Sequence, residues 1–173
     1  MAVKSSSLQI VLLAGVKTMP SAFQACMQML DGQLRTNGLE PKIKVLFPYG
    51  DASRSLTRQV FEVRSDLFNW KRAGRIGGRQ AWNHLKETLK EQGERLLLIG
   101  HSGGGAAAYQ ALRFMLDDDN AMDYRLVQIG SPKTPILPEH REQVSYFHSV
   151  DSGGKQNDPI TKLGTWGGWS RSG

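Results

Sequence analysis
One hydroxyl stands where the chain must bend sharply. In Gly100-His101-Ser102-Gly103-Gly104 a serine sits among glycines, after the apolar run Leu96-Leu97-Leu98-Ile99 and before the small-residue stretch from Gly103 to Ala108. The pattern Gly-x-Ser-x-Gly between a strand and a helix suits a nucleophile, because the turn lifts the hydroxyl clear of the sheet. Such a turn holds its serine in a strained backbone conformation and leaves room only for small residues two positions away on either side. The first amide of the following helix, that of Gly103, lacks an intrahelical partner, and the helix dipole favours negative charge there. Ser102 is thus a candidate for attack on a carbonyl carbon and Gly103 a candidate donor to the resulting oxyanion. A plain phosphate-cradling turn is the competing reading. The lysine and Ser/Thr of a P-loop do not follow these glycines, and the dinucleotide spacing Gly-x-Gly-x-x-Gly is not met.

The elements that must carry this serine alternate between strand and helix. "LQIVLLAG" (8–15) is apolar throughout, as a strand buried on both faces would be. A helix is expected after it, with Pro20 in its first turn and Asn37-Gly38 at its end, and with Ala22, Phe23, Met27 and Leu30 on one face. "KIKVLFPYG" (42–50) reads as a second strand, 54–68 as a basic helix, and "RAGRIGG" (72–78) as a glycine-marked break. A further helix is expected over 79–93 with Gly93 as its stop. Strands follow at 95–100, 124–130 and 144–150, and the helix after the serine runs from about 103 to 115 before the acidic Asp117-Asp118-Asp119-Asn120. This order implies one α/β domain over residues 1–173, a mostly parallel sheet between two helical layers, with a flexible tail over 165–173.

Bulk properties bound the function. A chain of 173 residues, 39% hydrophobic and 22% charged, has the make-up of one soluble domain. Cys26 is the only cysteine, which excludes an internal disulfide and a cysteine-rich metal site and fits a reducing, cytoplasmic setting. No segment reads as an integral membrane span; the first apolar run is short and ends before Lys17. The net charge of +6 concentrates between Arg54 and Arg79, where seven basic residues face only Glu62 and Asp66. A solvated helical face is the plain reading, with attraction of anionic or membrane-associated substrates the alternative. No zinc pattern or RNA-reading aromatic motif accompanies the charge, so no nucleic-acid partner is expected. The acidic 117–120 stretch lacks EF-hand spacing, and no metal or cofactor is expected.

Three stretches together, "GHSGG" (100–104), "GSPK" (130–133) and "NDPITKLG" (157–164), resemble the α/β-hydrolases, most closely the lipase and esterase branch with the class-three lipases. The resemblance implies a three-layer α/β/α sandwich and hydrolysis of carboxylic esters, lipids or acyl thioesters through an acyl-enzyme on Ser102, without cofactor. It implies Asp158 as the carboxylate that orients an imidazole, with Asp151 as the runner-up. It also implies a second oxyanion donor just past the first strand, at Val16 or Lys17, with Val16 preferred.

The family order is serine, acid, histidine, yet His84, His101, His140 and His148 all precede Asp158. A serine hydroxyl needs a base to accept its proton. His101 should point away from the serine, His84 should be solvated, and His148 should lie in the last strand beneath the site. His140 alone, in a loop after Pro138, has freedom to reach. The resemblance therefore implies that the base lies in a further strand, loop and helix beyond Gly173, and that Trp166 and Trp169 await that segment. An acyltransferase and a hydrolase-shaped binding protein are the competing functions.

Overall fold
The computed structural model describes residues 8–67, 75–89, 95–118 and 123–166. Its strands are β1 (Leu8–Leu13), β2 (Pro41–Leu46), β3 (Arg95–His101), β4 (Tyr124–Ile129) and β5 (Val144–Phe147), all parallel in the order β2-β1-β3-β4-β5. Its helices are α1 (Gln24–Thr36), α2 (Leu56–Leu67), α3 (Ile76–Thr88) and α4 (Gly103–Asp117). Parallel neighbours need crossover connections, and here helices on the two sheet faces supply them.

The apolar β1 is central because it has something to bury on both sides. Val11 and Leu13 face the core shared with Leu96, Leu98, Leu112 and Met115, while Ile10, Leu12 and Ala14 pack with Phe23 on the α1 side. Residues 10–14 are essentially inaccessible to solvent. Each such side chain contributes roughly 1.5–3 kcal/mol by leaving water.

Several boundaries move. The first helical segment starts as a 3-10 turn, Pro20–Phe23, and only then becomes α1. The tighter period turns Ala22 outward, so the inner face is Phe23, Cys26, Met27, Leu30 and Leu34. The glycine-marked break does not end at Gly78: α3 begins at Ile76, and both its glycines are sites of close packing. A Cβ on Gly77 would lie 2.5 Å from Asp66 Oδ2, and one on Gly78 would meet Gln110 of α4. Residues 72–74 of that break and the expected stop at Gly93 lie outside the described residues, as do Asp119, Asn120 and the tail from 167. β5 ends at Phe147, so His148 is beyond the strand and exposed.

The basic face also differs from expectation, because its acids are the part turned inward. Along α2 the buried positions are Gln59, Glu62, Val63 and Asp66, while Leu56, Val60 and Phe61 are exposed. Arg54 meets Glu62 through two bonds of 2.7 Å, a bidentate geometry that partners the buried carboxylate. Arg75 is buried beside the Phe114 ring. Lys71 and Arg72 lie outside the described residues.

Candidate functional site
The chain builds outward from β1 to β2, then returns to place β3 on the other side of β1. Strand order reverses between β1 and β3, the place in open α/β sheets where ligands commonly bind outside the carboxyl ends of the strands. Gly15 to Thr18 follow β1, and Ser102 follows β3; the structure brings these two segments together. A Cβ on Gly15 would stand 2.7 Å from Ser102 Cβ and 3.1 Å from the Gly103 nitrogen.

Ser102 takes φ 53° and ψ −133°, a conformation that L-residues adopt only under constraint. Its backbone N–H donates to Ile129 O at 2.9 Å, fastening the bend to the end of β4, and its side chain does not cap α4. The flanking glycines are needed for approach. A Cβ on Gly100 would press on the Gly104 and Gly105 backbone, and one on Gly104 would overlap Leu13 and Ala14. Three polar side chains from β4 and beyond complete the joint. Gln128 Nε2 donates to Gly105 O at 2.8 Å, Ser131 Oγ to Gly100 O at 3.3 Å, and Tyr146 Oη to Ser131 O at 2.6 Å.

Below the elbow lies a buried polar cluster. Tyr49 Oη is 2.6 Å from Asp66 Oδ2 and 3.2 Å from Gly103 O. Gly78 N–H donates to Asp66 Oδ1 at 3.3 Å. Burial pushes the Asp66 carboxyl up to about 7, against the Tyr49 hydroxyl and the Gly77 and Gly78 amides, which favour its charged form. Burial first, and then Asp66, raises Tyr49 well above the ordinary phenol range.

Of the two candidate oxyanion donors past β1, the Lys17 amide is already engaged: it donates to Gln59 Oε1 at 2.7 Å. Val16 precedes it, half-buried against the main core. Asp158 is half-buried at the carboxyl end of the sheet. Its Oδ2 lies 3.2 Å from where a Cβ on Gly130 would be, and Gly130 adjoins the Ile129 carbonyl that holds Ser102. Its Oδ1 accepts the Ile160 N–H at 2.8 Å. Asp151 is exposed, with Oδ1 accepting the Gly153 and Lys155 amides at 3.0 and 2.9 Å. It organises its own turn.

No histidine is brought to Ser102 among the described residues. His140 Nδ1 lies 3.1 Å from Tyr109 Oη, on the second turn of α4, and burial holds its imidazole below the ordinary value. His148 lies with its ring 5.7 Å from Tyr146 and not beneath the elbow. His101 is exposed and continues the Leu97–Ile99 face, opposite α4, and His84 is exposed on α3. Trp166 stacks edge-on against Tyr146 at 4.6 Å, with Trp169 outside the described residues. No group of three or more His, Cys, Asp or Glu that could hold a metal occurs among the described residues, nor does any helix long and apolar enough to cross a membrane.

Sequence reasoning missed Gln59, Tyr49, Asp66 and Gln128. A signal existed for α2: Gln59, Glu62, Val63 and Asp66 fall at i, i+3, i+4 and i+7, the spacing of a buried face carried by polar residues.

A parallel sheet with helices on both sides and a strained serine at its switch point gives this chain an α/β-hydrolase-like fold. Among solved structures it is similar to RedJ, a thioesterase of the prodiginine biosynthetic pathway of Streptomyces coelicolor. The identity is 20% and the TM-score 0.46, over 72% of this chain and 40% of that one. RedJ with a polyethylene glycol molecule in its active site aligns at 16% identity and a TM-score of 0.48, over 87% and 51%. The peroxisomal α/β-hydrolase Lpx1 of Saccharomyces cerevisiae aligns at 21% and 0.43, over 79% and 39%. The chain thus spans about half or less of each of these structures. No family model and no curated protein sequence matches it.

Proposed function
We propose that the chain carries the nucleophile half of a serine hydrolase acting on carboxylic esters or acyl thioesters, lipid esters included. The observation that supports this most directly is the Ser102 backbone, φ 53° and ψ −133°, at the junction of β1, β3 and β4. Strain of order 1–3 kcal/mol persists only where surroundings impose it, and here glycines and three side-chain hydrogen bonds do so. In this reading Ser102 Oγ attacks the acyl carbon and passes its proton to an imidazole. The oxyanion is met by the amides of Gly103 and Val16. The alcohol or thiol leaves with the proton, and water then releases the acid by the same steps in reverse.

Asp158 is the carboxylate proposed to orient the imidazole, and the imidazole itself is proposed to come from polypeptide outside these 173 residues. The position of Asp158 beside Gly130 supports its role over that of Asp151, whose carboxylate is committed to its own turn. Interception of the acyl-enzyme by an alcohol or thiol would make the same machinery an acyltransferase.

Intact-mass labelling with a fluorophosphonate tests this. The experiment compares the chain as given, the chain extended by whatever its reading frame encodes next, and Ser102→Ala in each. Labelling that depends on Ser102 and is far faster in the extended protein is the expected result. Absence of labelling in both would sink the enzyme and leave a binding protein with a hydrolase-like fold.

A further inference from the structure
Only two non-glycine residues among those described have a left-handed φ: Ser102, and Lys17 at 54°. They belong to the two segments that meet where strand order reverses, and Lys17 is held from α2. Gln59 is completely buried, and both ends of its amide are used. Oε1 accepts the Lys17 N–H at 2.7 Å, and Nε2 donates to Asp51 O at 2.6 Å. Lys17 Nζ reaches Ala52 O at 2.8 Å, and Thr18 Oγ1 donates to Gly15 O at 3.1 Å.

These bonds act on consecutive peptide planes. Gly15 C=O and Val16 N–H belong to one rigid unit and point in opposite directions, so holding the carbonyl aims the amide. Val16 C=O and Lys17 N–H form the next unit, which Gln59 holds. Gln59 therefore fixes the path of the loop and removes the Lys17 amide from service. On the reading of Ser102 as a nucleophile, we infer that Gln59 is a positioning residue that selects Val16 N–H as the second oxyanion donor. Placing it on α2, 42 positions from Lys17, explains why that helix turns a polar side inward. A side chain that merely filled space would not need two hydrogen bonds at opposite ends, and a buried amide that lost them would be costly.

The inference is tested in whichever version of the protein labels with fluorophosphonate, comparing wild type, Gln59→Leu, Gln59→Glu and Thr18→Val. Gln59→Leu removes both bonds, whereas Gln59→Glu keeps an acceptor for the Lys17 N–H. Amide exchange at Lys17, read by NMR, should accelerate at least tenfold in Gln59→Leu and stay slow in Gln59→Glu. The maximal labelling rate should fall about 100-fold in Gln59→Leu, the usual loss for one oxyanion donor, with half-saturating probe concentration little changed. Gln59→Glu should recover most of that rate. Thr18→Val should give a smaller loss of the same kind, and it carries the test if Gln59→Leu does not fold. Undiminished labelling in a folded Gln59→Leu, or equal loss in Gln59→Leu and Gln59→Glu, overturns the inference while leaving the hydrolase reading intact. A wild type that never labels overturns both, and slow Lys17 exchange would then show only that the loop is clamped.

Discussion
At the junction of β1 and β3 the backbone is tightly packed, whereas the β4–β5 edge is open. Around Ser102 the packing partners are backbone atoms: Leu13 and Ala14 against Gly104, and Gly104 and Gly105 against Gly100. Around Asp158 they are loop amides and a few side chains, and the register neighbours Ile129 and Phe147 are 41% and 58% exposed on the face that α1 covers farther along the sheet. The open edge also carries a shallow hollow of about 340 Å³ between Ile136, Arg141, Val144, Tyr146 and Trp166. Ser102 is thus held among close-packed backbone, while Asp158 lies in loops beside an open strand edge.

The largest expected contrast is chemical. In the protein that labels with fluorophosphonate, Ser102→Ala should abolish modification altogether. Asp158→Asn should slow ester turnover by up to roughly four orders of magnitude, as loss of the orienting carboxylate does in serine hydrolases. Asp151→Asn should leave turnover within about threefold, since only its own turn depends on it. Equal losses at the two aspartates would dissolve the distinction between them.

Next in size are the glycines. Gly104→Ala forces a methyl into the Leu13–Ala14 backbone and should cost at least about 3 kcal/mol, the upper range for overpacking, because no flexible side chain can yield. Gly153→Ala, on the open side, meets only Asp151 Oδ1 at 3.4 Å and should change stability by less than about 0.5 kcal/mol. Urea melts of the two variants measure the difference. Comparable values would mean that the elbow relaxes more easily than its geometry suggests.

The Asp66 cluster gives a pH-dependent test. Its carboxyl binds a proton more tightly in the folded chain, at about 7, than in the unfolded chain, at about 3.8. Stability from this group is therefore greatest below about pH 4, declines as pH rises through the interval, and is fully lost above 7. Integrated over that interval the loss is of order 4 kcal/mol. Asp66→Asn has no charge to bury and still offers an acceptor to Tyr49 or Gly78. Its stability should exceed that of the wild type at pH 8 by a few kcal/mol, with a flatter profile between pH 4 and 7. Parallel profiles for the two proteins would show that Asp66 titrates as an ordinary carboxyl.

What the sequence disclosed follows the same division. The β1 strand and the sharp turn at Ser102 are readable because each is contiguous and dictated by sterics. The path of the basic segment is not, since charge counts say nothing about which residues turn inward: Glu62 and Asp66 did, and Gly77-Gly78 proved to be contact points within α3. That the Lys17 amide is taken by Gln59, across 42 positions, is something no local pattern encodes. Val150 extends the apolar alternation past Phe147, so the run by itself predicts a strand through His148. Pairing with β4 stops at Ile129, so the strand stops with it.

The smallest effects compare two tyrosines that do similar work on the two sides. Tyr49 is fully buried and donates toward Asp66, a bond to a group that is charged above pH 7; Tyr146 is half-buried and donates to the Ser131 carbonyl. Tyr49→Phe takes one of its partners from a buried carboxylate and should cost about 1.5–3 kcal/mol at pH 8, the range for hydrogen bonds to charged groups. That cost should shrink at pH 5, where Asp66 is protonated and the lost bond no longer goes to a charged group. Tyr146→Phe removes one hydrogen bond between neutral groups, to the carbonyl of the buried Ser131, so it should cost about 1 kcal/mol and be indifferent to pH. A pH-independent Tyr49→Phe would uncouple the phenol from Asp66, and the cluster beneath the elbow would then be packing alone.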